Sequence, residues 1–462
     1  MKNRTLLILS FISFLAIISC RKDDKPIIEV PDPGPGLNEI FDIDKVPQIS
    51  IEVSTSEWNR FLANFDINQD NEEYVLASFS INEGTEVIRF DSVGLRLRGN
   101  TSRRRPEGDF GEVHQSSNPD WHHAHFTINF KKYKKSQRYH NLEKINLKWF
   151  KDDANYVREV YCYDLFERYG VWTAPHSSYS TLSIKVKEDA DSAYFGVYQM
   201  IESIDEDYVK NRSNSFYTDN GNLWKCSWGA NLHHVNYDQM GVEDVTLDPN
   251  TMQNFTYDLK TNKENLSQAS TQLGKFITDF NSKSGVAFQT WVENKIDIPL
   301  LLKTYAVNVM VGMWDDYWAN TNNYYMYFDG DGKFYFIPYD YDNTLGTSAM
   351  MDDSGRQDLL NWGNSNNPLI RKIIAIPEYK ALYVSYIYEL AHPVNDYFFI
   401  TSSIERIENW QNMIRPFVSN DTEEDMMIED YPAYWGNQPG YRLNSQTNNF
   451  FDVRSANLPP KN

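Results

Sequence analysis

Apolar residues change their spacing about halfway along this chain, and no other feature constrains its fold as strongly. Up to residue 201 the pattern is mainly that of strands, in which successive side chains face opposite ways. Residues 46–53 (VPQISIEV) alternate, as do 74–81, 86–91, 93–98, 126–130, 144–149, 180–187 and 193–201. Ser54 with Glu57 makes a capping-box pattern, which places a short helix over Trp58 and Phe61. Residues 153–169 switch to helical period, with Val157, Val160, Tyr161, Leu165 and Phe166 on one face and Gly170 as the stop. Beyond Glu202 helices take over, at 266–280, 299–313, 368–374, 379–390 and 404–414, interrupted by a hairpin at 324–339. A strand-rich part over 39–202 and a helix-rich part over 203–462 predict an α+β chain.

The N-terminus has a separate task. Residues 1–19 (MKNRTLLILSFISFLAIIS) carry Lys2 and Arg4, then an apolar run, then a small residue before Cys20. That is the layout of a signal peptide, and the run is short of the roughly 20 apolar residues a membrane span needs. A cysteine directly after the small residue matches the bacterial lipobox, so Cys20 is the expected lipidation site and the membrane an expected partner. Residues 20–38, with Pro26, Pro31, Pro33 and Pro35, then form a flexible linker. Lys22-Asp23-Asp24 resembles a surface-export signal, so the expected address is a secreted lipoprotein on the outer membrane or cell surface. A net charge of −20 argues against a nucleic-acid partner, which needs a basic face. Beyond Cys20 only Cys162 and Cys226 remain, too few for a disulfide framework, and whether they pair is open. The 30 tyrosines and 12 tryptophans suit a large core, and exposed ones would suit glycans.

Polar chemistry concentrates in residues 314–346, WDDYWANTNNYYMYFDGDGKFYFIPYDYDNTLG. A helix ends near Met313 and delivers Asp315 and Asp316 into a loop. Asn320, Asn322 and Asn323 follow, and the hairpin's second strand leads to Asp340 and Asp342. Such residues are common in turns. They are also the groups that phosphoryl transfer needs: a carboxylate facing the attacking hydroxyl, and an amide and a carboxylate to hold Mg²⁺, which prefers oxygen ligands.

Several segments, in order, resemble the CotH (spore-coat protein H) family of atypical, kinase-fold phosphotransferases. They are Val93-Gly94-Leu95-Arg96-Leu97-Arg98-Gly99-Asn100-Thr101-Ser102, Gly196-Val197-Tyr198 with Glu202-Ser203-Ile204, and Trp314-Asp315-Asp316-Tyr317. Asn323-Tyr324-Tyr325-Met326-Tyr327, Ile337-Pro338-Tyr339-Asp340, Asn366-Asn367-Pro368-Leu369 and Ile376-Pro377-Glu378-Tyr379 complete the series. The similarity covers roughly residues 46–390. It implies a protein-kinase-like bilobal fold with a β-rich N-lobe and a helical C-lobe. It further implies ATP and Mg²⁺ (or Mn²⁺) as cofactors and transfer of phosphate to hydroxyl groups of an acceptor protein. Asp315 then matches the catalytic residue, or Asp316 if the register slips by one; Asn323 and Asp340 match metal ligands. Asp342 stands where the family varies and is a lesser metal candidate.

The chain departs from the family after its Arg-Gly-Asn segment. Many members carry lysines there, whereas this chain has an insert at 103–120 and then Trp121-His122-His123-Ala124-His125-Phe126. Lys148 is the substitute expected to face the phosphates, with Glu159 as its partner. Glu202, in the segment between the lobes, is a further cofactor-binding candidate. Loss of the usual lysine, and an address where ATP is scarce, would instead suit a catalytically silent surface adhesin or a glycan- or protein-binding scaffold. An accessory of a polysaccharide-handling system is a third reading. His123 and His125 share a strand face and, with His114 or Asp120, could hold a transition metal. Residues 66–72 begin like a calcium loop but lack its glycine and final glutamate.

Overall fold

The computed structural model describes residues 36–461, except Thr85, Tyr217 and residues 432–438. The signal segment, Cys20 and nearly all of the linker lie outside the described residues. The described chain opens with α1 (Leu37–Ile40), whose Leu37 and Ile40 are already buried. Packing therefore starts at the last residues assigned to the linker.

The strands follow the expected alternation. They are β1 (Gln48–Val53), β2 (Val75–Asn82), β3 (Val87–Leu97), β4 (Phe126–Asn129) and β5 (Lys144–Lys148). Between β1 and β2 runs α2 (Thr55–Ile67), and Ser54 Oγ accepts from Glu57 N at 3.3 Å, as its capping pattern predicts. The strands expected at 86–91 and 93–98 are one strand. Ala77 pairs with Val93 but Phe79 with Phe90, so β3 carries an extra residue. A bulge of this kind interrupts alternation without ending a strand. Next come α3 (Arg158–Arg168), β6 (Ser177–Val186) and β7 (Ala193–Glu202). The helix starts later than its periodicity suggests because Asp153 lies outside it. The Asp153 carboxylate accepts from Val157 N at 2.9 Å and Arg158 N at 2.8 Å, capping the helix from four residues upstream.

These seven strands close into a barrel in the order β1-β2-β3-β4-β5-β7-β6. All neighbours are antiparallel except β6 and β1, which close the barrel in parallel. Gly196 of the Gly-Val-Tyr segment has φ 80°, opposite the irregularity between Leu182 and Ser183. A Cβ there would come within 3.1 Å of Asn420, so this position requires glycine twice over.

After β7 come α4 (Glu206–Asn211), β8 (Asn222–Cys226), β9 (Met240–Gly241) and β10 (Tyr257–Leu259). Then follow α5 (Leu266–Ser282), α6 (Gly285–Lys295), α7 (Ile298–Met310) and α8 (Tyr317–Asn320). The hairpin is β11 (Tyr324–Phe328) and β12 (Phe334–Pro338), followed by α9 (Pro368–Ile374), α10 (Pro377–Leu390), α11 (Ile400–Ile414) and α12 (Phe450–Ser455). Strands β12-β11-β8-β10-β9 form a second sheet, two of whose strands, β9 and β10, are too short to carry a readable period.

The chain is thus a mixed α+β fold with two hydrophobic cores. One fills the barrel and takes in Trp58, Phe61, Phe79 and Phe195. The other surrounds α7 and the hairpin. Helix α3 belongs to the second core although it lies in the strand-rich half: Val160, Tyr161, Leu165 and Phe166 are buried there beside Tyr179, Val197 and Ile201 of the barrel wall. Residue 202 is therefore a boundary in sequence that packing crosses. Cys162 and Cys226 are both buried and unpaired. Among the described residues, no helix is long and apolar enough to cross a membrane.

Candidate active site around Lys148

The last residue of β5 meets the first turn of α3. Lys148 Nζ lies 2.8 Å from Glu159 Oε2, and both side chains are nearly inaccessible. The same ammonium lies 2.5 Å from Asp340 Oδ1 and 3.0 Å from Asp342 Oδ2. These two aspartates come from the turn after β12, and α3 holds that turn by its backbone. Tyr341 N donates to Glu159 Oε1 at 3.0 Å, and Asp340 N donates to Tyr163 OH at 3.0 Å. Asp340 sits at φ 63°, a left-handed conformation that aspartate tolerates better than most residues. Glu159 thus orients both the lysine and the loop that carries the other carboxylates.

Three carboxylates around one ammonium leave negative charge uncompensated. Burial disfavours the charged Lys148, but Asp340, Asp342 and Glu159 outweigh it and hold its pKa well above the ordinary value. Burial also works to raise Asp340, yet Lys148, then Arg98 and Lys225, bring it below the usual carboxylate range. Asp342 takes the strain: burial first, opposed by Lys148 and reinforced by Asp340 and Glu159, pushes it up to about 7.

Asp315 is prepared differently. Its Oδ1 accepts from Asn320 Nδ2 at 2.6 Å and Asn322 Nδ2 at 3.2 Å, and its Oδ2 from Asn323 Nδ2 at 3.1 Å. Three amides fix the carboxylate while leaving it partly exposed. The neighbouring Asp316 is buried and caps α8, accepting from Ala319 N at 2.9 Å, and burial raises its pKa to about 7. The slipped-register alternative is therefore already engaged as a helix cap. Tyr324 pairs with Pro338 across the hairpin, so Asn323 and Asp340 emerge at the same end of it.

Two cations that the sequence does not assign also lie near this site. Arg98, quoted there only as part of a motif, donates from Nη2 to Tyr339 OH at 2.7 Å. Lys225 lies on β8, opposite Tyr325 of β11. Both contribute to lowering Asp340, and among the described residues neither has a carboxylate within ion-pair distance. The Arg-Gly-Asn segment was a signal for Arg98; Lys225 had none, because β8 was not legible.

Glu202 is not part of this cluster. Its two oxygens each lie 2.7 Å from the Arg212 guanidinium, in a fully buried pair, and one also accepts from His176 N at 3.1 Å. The histidines do not assemble either. His123 Nε2 donates to Phe195 O at 2.9 Å, His125 Nδ1 accepts from Trp149 N at 3.0 Å, and His114 bridges Glu107 and Asp189 at 2.9 Å each.

Among the described residues, no three His, Cys, Asp or Glu side chains form a metal-holding group. The donors near Lys148 nevertheless fit a hard divalent ion: all are oxygens, and Asp340 and Asp342 carry more negative charge than Lys148 balances. Asn323 supplies an amide at the same end of the hairpin, and phosphate oxygens would complete the set. A family model described as CotH kinase protein matches residues 95–449, which include every residue of this cluster. Comparison with curated proteins gives no match.

Proposed function

Since this chain belongs to the CotH kinase family, we propose that it transfers the γ-phosphoryl group of ATP to hydroxyl groups of proteins. The observation that carries this reading is the convergence of Lys148, Glu159, Asp340 and Asp342. Phosphoryl transfer relies on positioning and electrostatics, and a buried lysine oriented by a helix glutamate beside a metal-binding aspartate supplies both. It answers the departure noted in the sequence, because Lys148 stands in for the lysines that many relatives carry elsewhere. The barrel and the helix-rich core, joined through α3, support a kinase-like bilobal arrangement with this cluster between them.

Lys148, Arg98 and Lys225 bind the phosphate chain, and Glu159 keeps Lys148 in place. Asp340 and Asn323 hold Mg²⁺ or Mn²⁺, with Asp342 beside them; when bound, the ion draws negative charge from the phosphate oxygens. Asp315 orients the acceptor hydroxyl and takes its proton as the oxygen bonds to the γ-phosphorus. The bond to the β–γ bridging oxygen breaks, and ADP carries away that electron pair. The signal segment and Cys20 make this a lipid-anchored enzyme working outside the cytoplasm.

The test is incorporation of label from γ-labelled ATP by the full chain with Mg²⁺ or Mn²⁺, beside Asp315→Asn and Asp340→Asn. Metal-dependent label lost in both variants is expected. A folded parent that binds no ATP would return the chain to the scaffold reading.

A further inference from the structure

Trp228 is one of several large hydrophobic residues left exposed. Its side chain is 72% exposed, and among the described residues its indole makes no ring contact or hydrogen bond. A single exposed hydrophobic residue needs no explanation by itself. Its placement does.

Trp228 follows β8, the strand that carries Lys225. Cys226 pairs with Tyr324, so β8 ends beside the start of β11, where Asn322 and Asn323 hold Asp315. The turn after β8 is tied to that segment directly: Gly229 N donates to Thr321 O at 3.0 Å. Thr321 stands between Asn320 and Asn322, both of which donate to the Asp315 carboxylate. Trp228 is therefore one residue from a backbone bond to the Asp315 loop.

The turn is also firmly held. Ser227 N donates to Thr256 O at 2.9 Å, Tyr324 OH to Ala230 O at 2.7 Å, and Tyr317 OH to Asn231 O at 3.1 Å. Leu232 N donates to Tyr257 OH at 3.1 Å. Gly229, at φ 93°, allows the reversal that throws the indole outward. On a backbone held in this way a tryptophan has only two side-chain torsions left to order on binding, one reason why tryptophan dominates many recognition surfaces.

We infer that Trp228 is a specificity-determining residue for the acceptor, receiving an apolar side chain next to the phosphorylated serine or threonine of a polypeptide. This rests on the kinase reading of Asp315. Polypeptide is favoured over sugar by the surroundings of the ring. Sugar recognition needs uncommitted side-chain amides or carboxylates around an aromatic face, whereas Asn320 and Asn322, which the Gly229–Thr321 bond brings beside the turn, donate to the Asp315 carboxylate. Asn231, the nearest amide in the turn, directs its Oδ1 to His233 N at 2.9 Å.

The experiment is labelled-phosphate transfer by the full chain to arrays of serine peptides in which each flanking position is varied. Trp228→Ala, Trp228→Phe and the parent are compared, and ATP binding is measured in parallel. The parent should favour an apolar neighbour of the serine. Trp228→Ala should lose that preference and raise the peptide KM about tenfold, with ATP affinity unchanged and Trp228→Phe largely restoring it. Transfer by Trp228→Ala with the parent's preference and KM overturns this inference and leaves the kinase reading standing. Transfer to dextran but to no peptide overturns the polypeptide class. A parent that binds no ATP overturns the kinase reading and this inference together.

Discussion

Glu159 and Glu202 are both buried glutamates facing a cation, yet their surroundings differ in the quantity that separates structure from chemistry. Glu202 meets Arg212 through two parallel contacts of 2.7 Å, one negative charge against one positive, with no route to solvent. Burial works against its ionised form, but Arg212 outweighs this and lowers its pKa. Glu159 shares Lys148 with Asp340 and Asp342, which are each about a third exposed. The first site is balanced and closed, so further binding could only disrupt it. The second is unbalanced and open on one side, which leaves it ready for a cation and for phosphate. A buried carboxylate is thus informative through its net charge and access more than through its burial.

The same substitution at both glutamates should separate these roles. Glu202→Gln leaves Arg212 buried without its counter-ion and should cost about 3 kcal/mol in denaturant unfolding, with little change in transfer per folded molecule. Glu159→Gln should do the reverse, lowering transfer about a hundredfold through a misplaced Lys148 while stability stays nearly constant. Equal loss of stability at both positions would dissolve the comparison. Lys148→Met sharpens it, because three carboxylates then face one another without an ammonium. A loss of about 2 kcal/mol is expected in chelator, and millimolar Mg²⁺ should restore part of it in thermal melts.

The smallest expected effect is one of pH, and its sign differs between the two sites. Glu202 has a lowered folded pKa, so its contribution is present above the ordinary carboxylate range and fades as pH falls through the folded value. Asp342 is raised to about 7, so between roughly pH 4 and 7 the unfolded chain has released a proton that the folded chain keeps. Its contribution therefore lowers stability as pH rises across that window. Asp342→Asn should remove this slope in chelator, gaining on the order of 1 kcal/mol at pH 8 once the partial exposure of the side chain is discounted. An unchanged pH–stability curve would show that Asp342 ionises freely and that the charge around Lys148 is already balanced.

Much of this is legible in the amino-acid sequence. The alternation of residues 46–53 and 193–201, the Ser54 cap, and the hairpin leading to Asp340 are local features, and the structure reproduces each of them. Where reading failed, the cause was also local. The bulge in β3 broke one strand into two, and Asp153 read as the first residue of a helix that it caps from outside. Lys148 and Glu159 are candidates as a pair because the kinase resemblance implies a strand-borne lysine beside a helix-borne glutamate, and these two stand on the strand and helix that follow one another. Glu202 is a candidate through the Gly-Val-Tyr…Glu segment and pairs with Arg212, since nothing in either residue's neighbourhood states which cation a glutamate will meet.

Periodicity, caps and turn residues act over a few positions, so the amino-acid sequence alone determined the strands up to residue 202, the longer helices beyond it, the Asp315 loop and the family. Contacts between residues far apart in the chain depend on which surfaces bury each other. That alone closed the barrel through β1 and β6, drew α3 into the second core, and set Lys148 against aspartates nearly two hundred residues away. The convergence of Arg98 and Lys225, and the position of Trp228 beside the Asp315 loop, were decided at that level too. Packing brings such groups together, and no short-range pattern encodes it.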